Sequence, residues 1–350
     1  MDLLIQFNTV FYFDAANGKR LIENMTIMVV DVGGTNIRFG VSETVSDPLT
    51  DIQSYECSNF TSIESALDTY IDSLKKMQGT KFDAVSIALA APIFGDYVNV
   101  TNNHWQFSKS ELFERIPTER VLFINDFVAQ ALAQKDPSAN GNKLIIEGDN
   151  CKKSPLLVIG PGTGLGVSAL VPMKSDYFVL EGEGGHAHFT PRDELERELV
   201  AYLLDRQPYI SIEDVISGPG LETIYRFLCN RIGERAELNS AAKIGLEAIN
   251  GAELPRQAAL LFLNALASVI VDNIHILGCW QGAVITGGVV PKLSKLIDES
   301  NFKKRIQNQY VLQKVFKEIP VWLSTNPMNG LLGAQSALSN TFLRPRFFFK

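Results

Sequence analysis

The chain has 350 residues, of which 46% are hydrophobic and 20% are charged, and its net charge is −7. This composition is typical of a folded globular protein of about two domains, and it excludes a disordered chain. The acidic balance disfavours nucleic acid as a partner, because a negative surface repels phosphate backbones. The four cysteines form no CxxC pair, which argues against a zinc knuckle or a dithiol site and fits free thiols in a reducing cytosol.

The N-terminal segment and the longest apolar run give no sign of a membrane. Residues 1–24 are poorly patterned, and an acidic residue, Asp2, stands where a secretory signal has a basic cluster. The apolar run at 260–280 is interrupted by Asn264, Asp272 and other polar residues. A bilayer span needs about 20 apolar residues, so a buried helix is predicted there instead.

Strands alternate with helices in the first third of the chain. An apolar run enters a Gly-Gly-Thr turn at 33–35 and an alternating run leaves it, which predicts a β-hairpin. Thr61 and Glu64 have the spacing of a capping box, and an apolar helical face follows to Leu74. Short strands are predicted at 84–90, 96–101 and 121–126. The pattern indicates an α/β fold.

The pattern then restarts, which indicates a weak internal duplication. Residues 156–170 again predict strand, glycine-rich turn and strand. Helices are predicted at 194–204 and 256–277, strands at 282–286 and 320–324, and a helix from Leu331 onward.

Two glycine-rich turns are candidate phosphate sites. In DVGGTN (31–36) the backbone N–H groups can approach a phosphate closely, and Asp31 could hold a hydrated Mg²⁺, although an ordinary hairpin fits equally well. In GPGTGLG (160–166) the third glycine of a dinucleotide motif would fall on Leu165, and no GKS or GKT follows. The second turn therefore matches neither a Rossmann motif nor a P-loop, and a phosphate-contacting hairpin fits better.

Acidic residues mark two further candidate positions. Asp126 ends a predicted strand, where α/β enzymes place reactive groups, although Asn125 and Asp126 also suit a helix N-cap, the simpler interpretation. The segment EGEGGHAHF (181–189) carries His186 and His188, which would share one face of a strand, but no paired ligand set supports a metal site. Carboxylates and imidazole also bind sugar hydroxyls well. The turns SGPGLE and TGGVV each precede a helix, where phosphate or adenosine contacts are favoured.

In this order, the motifs resemble those of the bacterial glucokinase family, within the actin-like, hexokinase-like ATPase superfamily. They are DVGGTNIRFG, APIFGDYVNVTNNHW, INDFVA, GPGTGLG, GEGGHAHF, SGPGLE, TGGVVP and NPMNGLLGA. The resemblance covers roughly residues 25–337. It implies an α/β fold of two ribonuclease-H-like lobes with an active-site cleft between them. The implied small lobe is 25–136 plus 328–350, the large lobe is 137–327, and residues 1–24 are an extension.

The resemblance implies phosphorylation of glucose by ATP, with Asp126 as the base and Mg²⁺ held through water by Asp31. Adenosine would lie near Gly287 and Gly288. The implied sugar-binding residues are Asn102, Asn103, Asn125, Glu183, His186 and Glu213. The implied nucleotide-binding residues are Asp31, Gly33, Gly34, Thr35, Asn36, Gly162, Thr163, Gly164, Gly287 and Gly288.

A homodimer is also expected from the family, while charge, cysteine pattern and hydropathy predict a cytoplasmic protein with no nucleic-acid or membrane partner. Three features depart from the family pattern: the segment before Met25, the C-terminal LRPRFFFK, and NPMNGLLG in place of a tighter NPGLLG. The zinc cysteines and helix-turn-helix of the related repressor group are lacking in the sequence. Two alternatives stay open: a kinase for fructose, mannose or an N-acetylhexosamine, and a non-catalytic actin-like ATP-binding protein.

Overall fold

The computed structural model describes residues 12–13, 20–21, 26–75, 81–149, 151 and 153–350. The chain divides into two compact units, one made of Met1–Ala133 with Met328–Lys350 and the other of Gln134–Pro327. The second unit is therefore an insertion in the sequence of the first. The predicted extension, residues 1–24, lies outside the described residues except for one short strand pair.

Sixteen strands and eleven α-helices are described. The strands are β1 (Tyr12–Phe13), β2 (Arg20–Leu21), β3 (Ile27–Val32), β4 (Asn36–Ser42), β5 (Thr50–Glu56), β6 (Ala84–Leu89), β7 (Tyr97–Asn99), β8 (Gln106–Ser108), β9 (Arg120–Asn125), β10 (Lys143–Ile146), β11 (Leu156–Pro161), β12 (Leu165–Pro172), β13 (Tyr177–Gly182), β14 (Gly282–Ile285), β15 (Val321–Leu323) and β16 (Phe347–Phe349). The helices are α1 (Ile63–Lys75), α2 (Lys109–Arg115), α3 (Asp126–Leu132), α4 (Glu194–Leu204), α5 (Gly218–Arg231), α6 (Ala241–Asn250), α7 (Glu253–Leu277), α8 (Val290–Leu293), α9 (Phe302–Gln307), α10 (Gln313–Phe316) and α11 (Asn329–Ala337).

The first unit is built on a six-stranded sheet in the order β16-β9-β6-β3-β4-β5. Strands β3, β6 and β9 are parallel, so their carboxyl ends meet at one edge of the sheet. Side chains alternate between the two faces of a strand. Val30 faces the core shared with α1 and α2, whereas its neighbour Asp31 faces α11.

The predicted hairpin at 33–35 is confirmed, because β3 and β4 pair antiparallel on either side of that turn. The predicted capping box was wrong by one residue. Helix α1 begins at Ile63, which makes Ser62 the residue before it, and Ser62 and Ser65 exchange the two capping hydrogen bonds. Serine has a hydroxyl that both donates and accepts, so Ser65 can take the place that the prediction gave to glutamate.

The second unit has a six-stranded sheet in the order β10-β15-β14-β11-β12-β13. As in the first unit, parallel strands continue into an antiparallel meander, here β11-β12-β13. Helix α7 is long and apolar enough to cross a membrane by length and composition alone, but 61% of its most apolar window is buried inside the protein. The predicted buried helix is thus confirmed at this position.

The C-terminal strand β16 adds to the edge of the first sheet beside β9. The two strands are antiparallel, with Phe347 opposite Leu122. Phe348 lies between Phe113 and Phe123, with ring centroids 6.0 and 5.4 Å away. The unfamiliar segment LRPRFFFK is therefore part of the folded sheet.

Candidate active site

The carboxylate of Asp31 lies just before the first glycine-rich turn. Asp31 is the next-to-last residue of β3, and its side chain is buried. Its Oδ2 lies 3.2 Å from Nη1 of Arg38, the residue directly opposite on β4. Burial raises the pKa of Asp31, and the charge of Arg38 opposes this shift.

The two asparagines after β7 have different environments. Asn103 is engaged at both ends of its amide: Nδ2 donates to the Gly33 carbonyl at 3.4 Å, and Oδ1 accepts from the Trp105 N–H at 3.1 Å. Asn102 has a left-handed φ of 57° and an exposed side chain. Asn103 therefore fastens this segment to the turn after β3, and Asn102 is the better placed of the two to meet a ligand.

Asn125 and Asp126 lie where β9 ends and α3 begins. The Oδ1 of Asn125 accepts from the Phe127 N–H at 2.8 Å, so the helix-cap interpretation is confirmed for Asn125. Its Nδ2 donates to the Ala91 carbonyl at 3.1 Å. The half-buried Asp126 also accepts from the Phe127 N–H, at 3.0 Å. The cap thereby fixes the backbone that carries the Asp126 carboxylate.

A short segment after β6 joins these parts of the first unit. The N–H of Ala90 donates to the Val32 carbonyl at 2.8 Å, and its carbonyl accepts from the Thr101 N–H at 2.7 Å. The next residue, Ala91, receives the Asn125 amide. The turn after Asp31, the segment of Asn102 and the start of α3 are therefore connected by hydrogen bonds at one edge of the sheet.

In the second unit, the predicted hairpin at 160–166 is confirmed by the antiparallel pairing of β11 and β12. Glu213 supports its turn, because Oε2 accepts from the Leu165 N–H at 2.6 Å. The first residue of α5, Gly218, donates its N–H to the Gly162 carbonyl at 2.8 Å. Glu213 and the start of α5 are thus held directly against the predicted phosphate turn.

Glu183 and His186 follow β13, at the same end of this sheet as Glu213. Residues Gly184–His186 form a 3₁₀ turn, so His186 and His188 do not share the face of a strand. The Nε2 of His186 lies 3.9 Å from the Glu183 carboxylate, and both side chains are exposed. The Glu213 N–H donates to the Gly185 carbonyl at 2.9 Å, which brings these residues together.

His188 packs against an aromatic side chain. Its ring lies 4.3 Å from that of Tyr209, centroid to centroid. Among the residues that the structure describes, no group of three or more His, Cys, Asp or Glu side chains is arranged to hold a metal ion.

A mostly apolar recess lies beside the Gly287-Gly288 turn, between α5, α6 and α8. Its lining is Leu221, Ala241, Ala242, Gly245, Gly288, Val289, Lys292 and Leu293. Sequence patterns indicated the turns SGPGLE and TGGVV, which contribute Leu221, Gly288 and Val289 to this lining. The α6 residues were missed because small apolar residues at helical spacing look the same whether they line a recess or a core.

The comparisons with known proteins agree over most of the chain. A family model described as Glucokinase matches residues 28–341. The chain is similar to the glucokinase of Chromohalobacter salexigens, 35% identical over 89% of this chain and 97% of that protein. It is similar to the glucokinase of Aromatoleum aromaticum, 34% identical over 89% of this chain and 94% of that protein.

A solved structure is also similar, the glucokinase of an Antarctic psychrotroph, with a TM-score of 0.76 and 29% identity over 90% of this chain and 99% of that chain. The predicted fold class, α/β with two sheet-containing units of the actin-like ATPase type, is confirmed. Strand β16 and the residues before 28 lie outside the matched family model. The described geometry and these matches together show that the chain belongs to the glucokinase family.

Proposed function

We propose that the chain is a hexose kinase that transfers the γ-phosphoryl group of ATP to the primary hydroxyl of D-glucose, giving glucose 6-phosphate. Family membership supports the reaction. The observation that carries it is the hydrogen-bonded segment Ala90–Ala91, which joins the turn after Asp31, the Asn102 segment and the start of α3. Transfer of a phosphoryl group to a hydroxyl needs groups that position the phosphates and the hydroxyl, and here a glycine turn, an exposed amide and a carboxylate lie at one sheet edge.

For the acceptor sugar, we propose that amide, carboxylate and imidazole side chains bind the hydroxyls. In the first unit Asn102 contributes an exposed amide, and Asn125 contributes the second N–H of an amide whose first N–H donates to the Ala91 carbonyl. Asn103 acts indirectly by holding the turn. The second unit would contribute Glu183, His186 and Glu213. A rigid set of donors and acceptors rejects a sugar that lacks a hydroxyl, because a polar side chain that the sugar covers would then be left without a partner.

For the nucleotide, the two glycine-rich turns would bind the phosphates through backbone N–H groups, and the recess beside Gly288 would receive the adenine ring. The residues present fit a magnesium ion, because Mg²⁺ is usually bound by one or two carboxylates, waters and the substrate's own phosphates. Asp31 would supply that carboxylate. When bound, Mg²⁺ neutralises charge on the β- and γ-phosphates.

In the proposed reaction, the sugar oxygen forms a bond to the γ-phosphorus while the bond to ADP breaks. Asp126 accepts the proton that the hydroxyl loses. The transition state is loose, so Asp126 orients the hydroxyl as much as it deprotonates it. Correct orientation of the two substrates can lower the barrier by several kcal/mol, on the order of 7 at best.

We also propose that the two compact units are the small and large lobes of the kinase, that the protein acts in the cytoplasm and that it forms a homodimer. The division of the chain at Ala133 and Met328 supports the first proposal. The unpaired cysteines fit a reducing compartment.

The test measures ATP consumption by the purified protein against glucose, fructose, mannose and an N-acetylhexosamine, with Asp126→Asn beside the wild type. Turnover with glucose that Asp126→Asn loses, with glucose binding retained, is expected. The exposed Asp205→Asn serves as a matched control and retains activity. Asp126→Asn activity within about twofold of wild type contradicts the base. ATP binding without turnover on any sugar favours the non-catalytic alternative.

A further inference from the structure

Burial and a hydrogen bond from Arg38 fix the position of the Asp31 carboxylate. Its side chain is only 8% exposed, and the strand register places Arg38 directly across from it. Arg38 donates a hydrogen bond to Oδ2, and among the described residues no hydrogen bond to Oδ1 is present. A water of a hydrated magnesium ion is a strong donor, and Oδ1 is an acceptor suited to it.

The other side of the carboxylate is closed by the first turn of α11. An added Cβ at Gly330 would lie 2.3 Å from the carboxylate carbon and 2.4 and 2.6 Å from its two oxygens. No side chain can occupy that position unless the acid moves. The backbone of α11 therefore forms a wall on one side of the carboxylate, and the guanidinium of Arg38 holds it on another.

We propose that Arg38 and Gly330 are positioning residues that hold Asp31 for the magnesium-bound phosphates of the nucleotide. Arg38 orients the carboxylate through Oδ2, and Gly330 leaves the space that the carboxylate occupies. The inference rests on the proposed function only in its choice of ligand. It assigns to these two residues an effect on magnesium-dependent nucleotide binding and none on sugar binding.

The chemistry distinguishes Arg38 from a residue that only stabilises the fold. Its side chain is 29% exposed, so its removal leaves room for solvent instead of a sealed cavity. Arg38→Met keeps the apolar length of the side chain and removes the charge and the donors. Arg38→Lys keeps the charge without the planar fork of donors, so an intermediate affinity is expected.

The test is calorimetric titration of the full-length protein with ADP, without sugar, in excess Mg²⁺ and again in EDTA. Arg38→Met is expected to weaken Mg-ADP binding by about tenfold or more and ADP binding in EDTA by less than about twofold, with Arg38→Lys between Arg38→Met and wild type in excess Mg²⁺. Arg115→Met, which removes an exposed ion pair with Asp68 in the same unit, is the matched control and leaves both affinities unchanged.

Gly330→Ala is the second variant and is expected to weaken Mg-ADP binding in the same selective way. Equal loss of affinity with and without Mg²⁺ in Arg38→Met, or no loss in either condition, overturns the proposal. The ATP-consumption assay with hexoses separates it from the proposed function. If wild type binds Mg-ADP selectively through Arg38 but phosphorylates no hexose, the proposed function fails and this inference stands.

Discussion

The crossing of α3 and α11 offers a sharp test of how the catalytic carboxylate is held. Gly333 of α11 lies so close to α3 that an added Cβ would be 1.7 Å from the Ala129 carbonyl oxygen, whereas ordinary contact begins at 3.4 Å. In Gly333→Ala the two backbones would have to move apart by about 1.7 Å to restore ordinary contact. Helix α3 begins with Asp126, so this movement reaches the proposed base directly.

The magnitude follows from overpacking and from geometry. Forcing extra methyl volume into a packed site destabilises a protein by about 1–3 kcal/mol, which lowers Tm by roughly 2–12 °C for a unit of this size. A displacement of about 1 Å at a reacting group can lower kcat by about 100-fold. We therefore expect Gly333→Ala to lose about two orders of magnitude in kcat while most of the protein remains folded at 25 °C.

The assay combines calorimetric Tm with kcat and KM for glucose. Leu332→Ala, which shortens a half-exposed side chain on the same helix, is the control and should retain kcat. A normal kcat in Gly333→Ala, or a normal Tm, would refute the claim that helix contact positions Asp126. If circular dichroism shows that Gly333→Ala is unfolded, the destabilisation is larger than the predicted value of about 1–3 kcal/mol, and that magnitude is refuted.

Three further predictions concern other parts of the molecule. Glu183→Ala should raise KM for glucose by about tenfold and leave kcat within about twofold, since the side chain is exposed and proposed to bind hydroxyls; steady-state kinetics with an unchanged KM would remove it from the site. Cys151 is the exposed cysteine, and a hydrogen bond from Ser154 lowers its pKa, whereas burial raises the pKa of Cys279 to about 12. A thiol reagent should therefore modify one cysteine per native chain, and the reaction should still proceed at a pH below the usual thiol pKa of about 8.5. Cys151→Ser should abolish the modification, and rapid modification of a second thiol contradicts the prediction. Phe348→Ala should lower Tm by roughly 3–10 °C through lost aromatic packing, with kcat unchanged, and an unaltered calorimetric Tm would show that β16 contributes no stability.

The sequence predicted the helices and hairpins that are marked by residues close together in the chain, such as helix caps and glycine turns. Helix α4 lies at 194–204 as predicted, since Asp193 caps it and accepts from the Glu196 N–H. The two hairpins were predicted because their glycines sit between apolar runs. The capping box of α1 was displaced by one residue, because Thr61 and Ser62 can both cap a helix and only the helix start distinguishes them.

What the sequence could not provide depends on contacts between distant segments. Asn102 and Asn103 are chemically identical, and only the bond from Asn103 to the Gly33 carbonyl separates their roles. The recess at Gly288 forms because α5 and α6 pack beside α8, and the hydrophobic pattern of one helix does not predict which helices pack against it. Three consecutive phenylalanines favour a strand but carry no register, so the pairing of β16 with β9 was not predicted.

The position of β16 in the chain also has a consequence for biosynthesis. Strand β9 ends at Asn125 and its partner β16 begins at Phe347, with the whole second unit between them. At a translation rate of about 5–20 residues per second, the ribosome needs on the order of 10–45 s to supply the missing strand. During that interval β9 is an unpaired sheet edge on the nascent chain, the kind of template on which chains aggregate. The second unit can complete its own sheet first, so the order of folding on the ribosome differs from the order of the sequence.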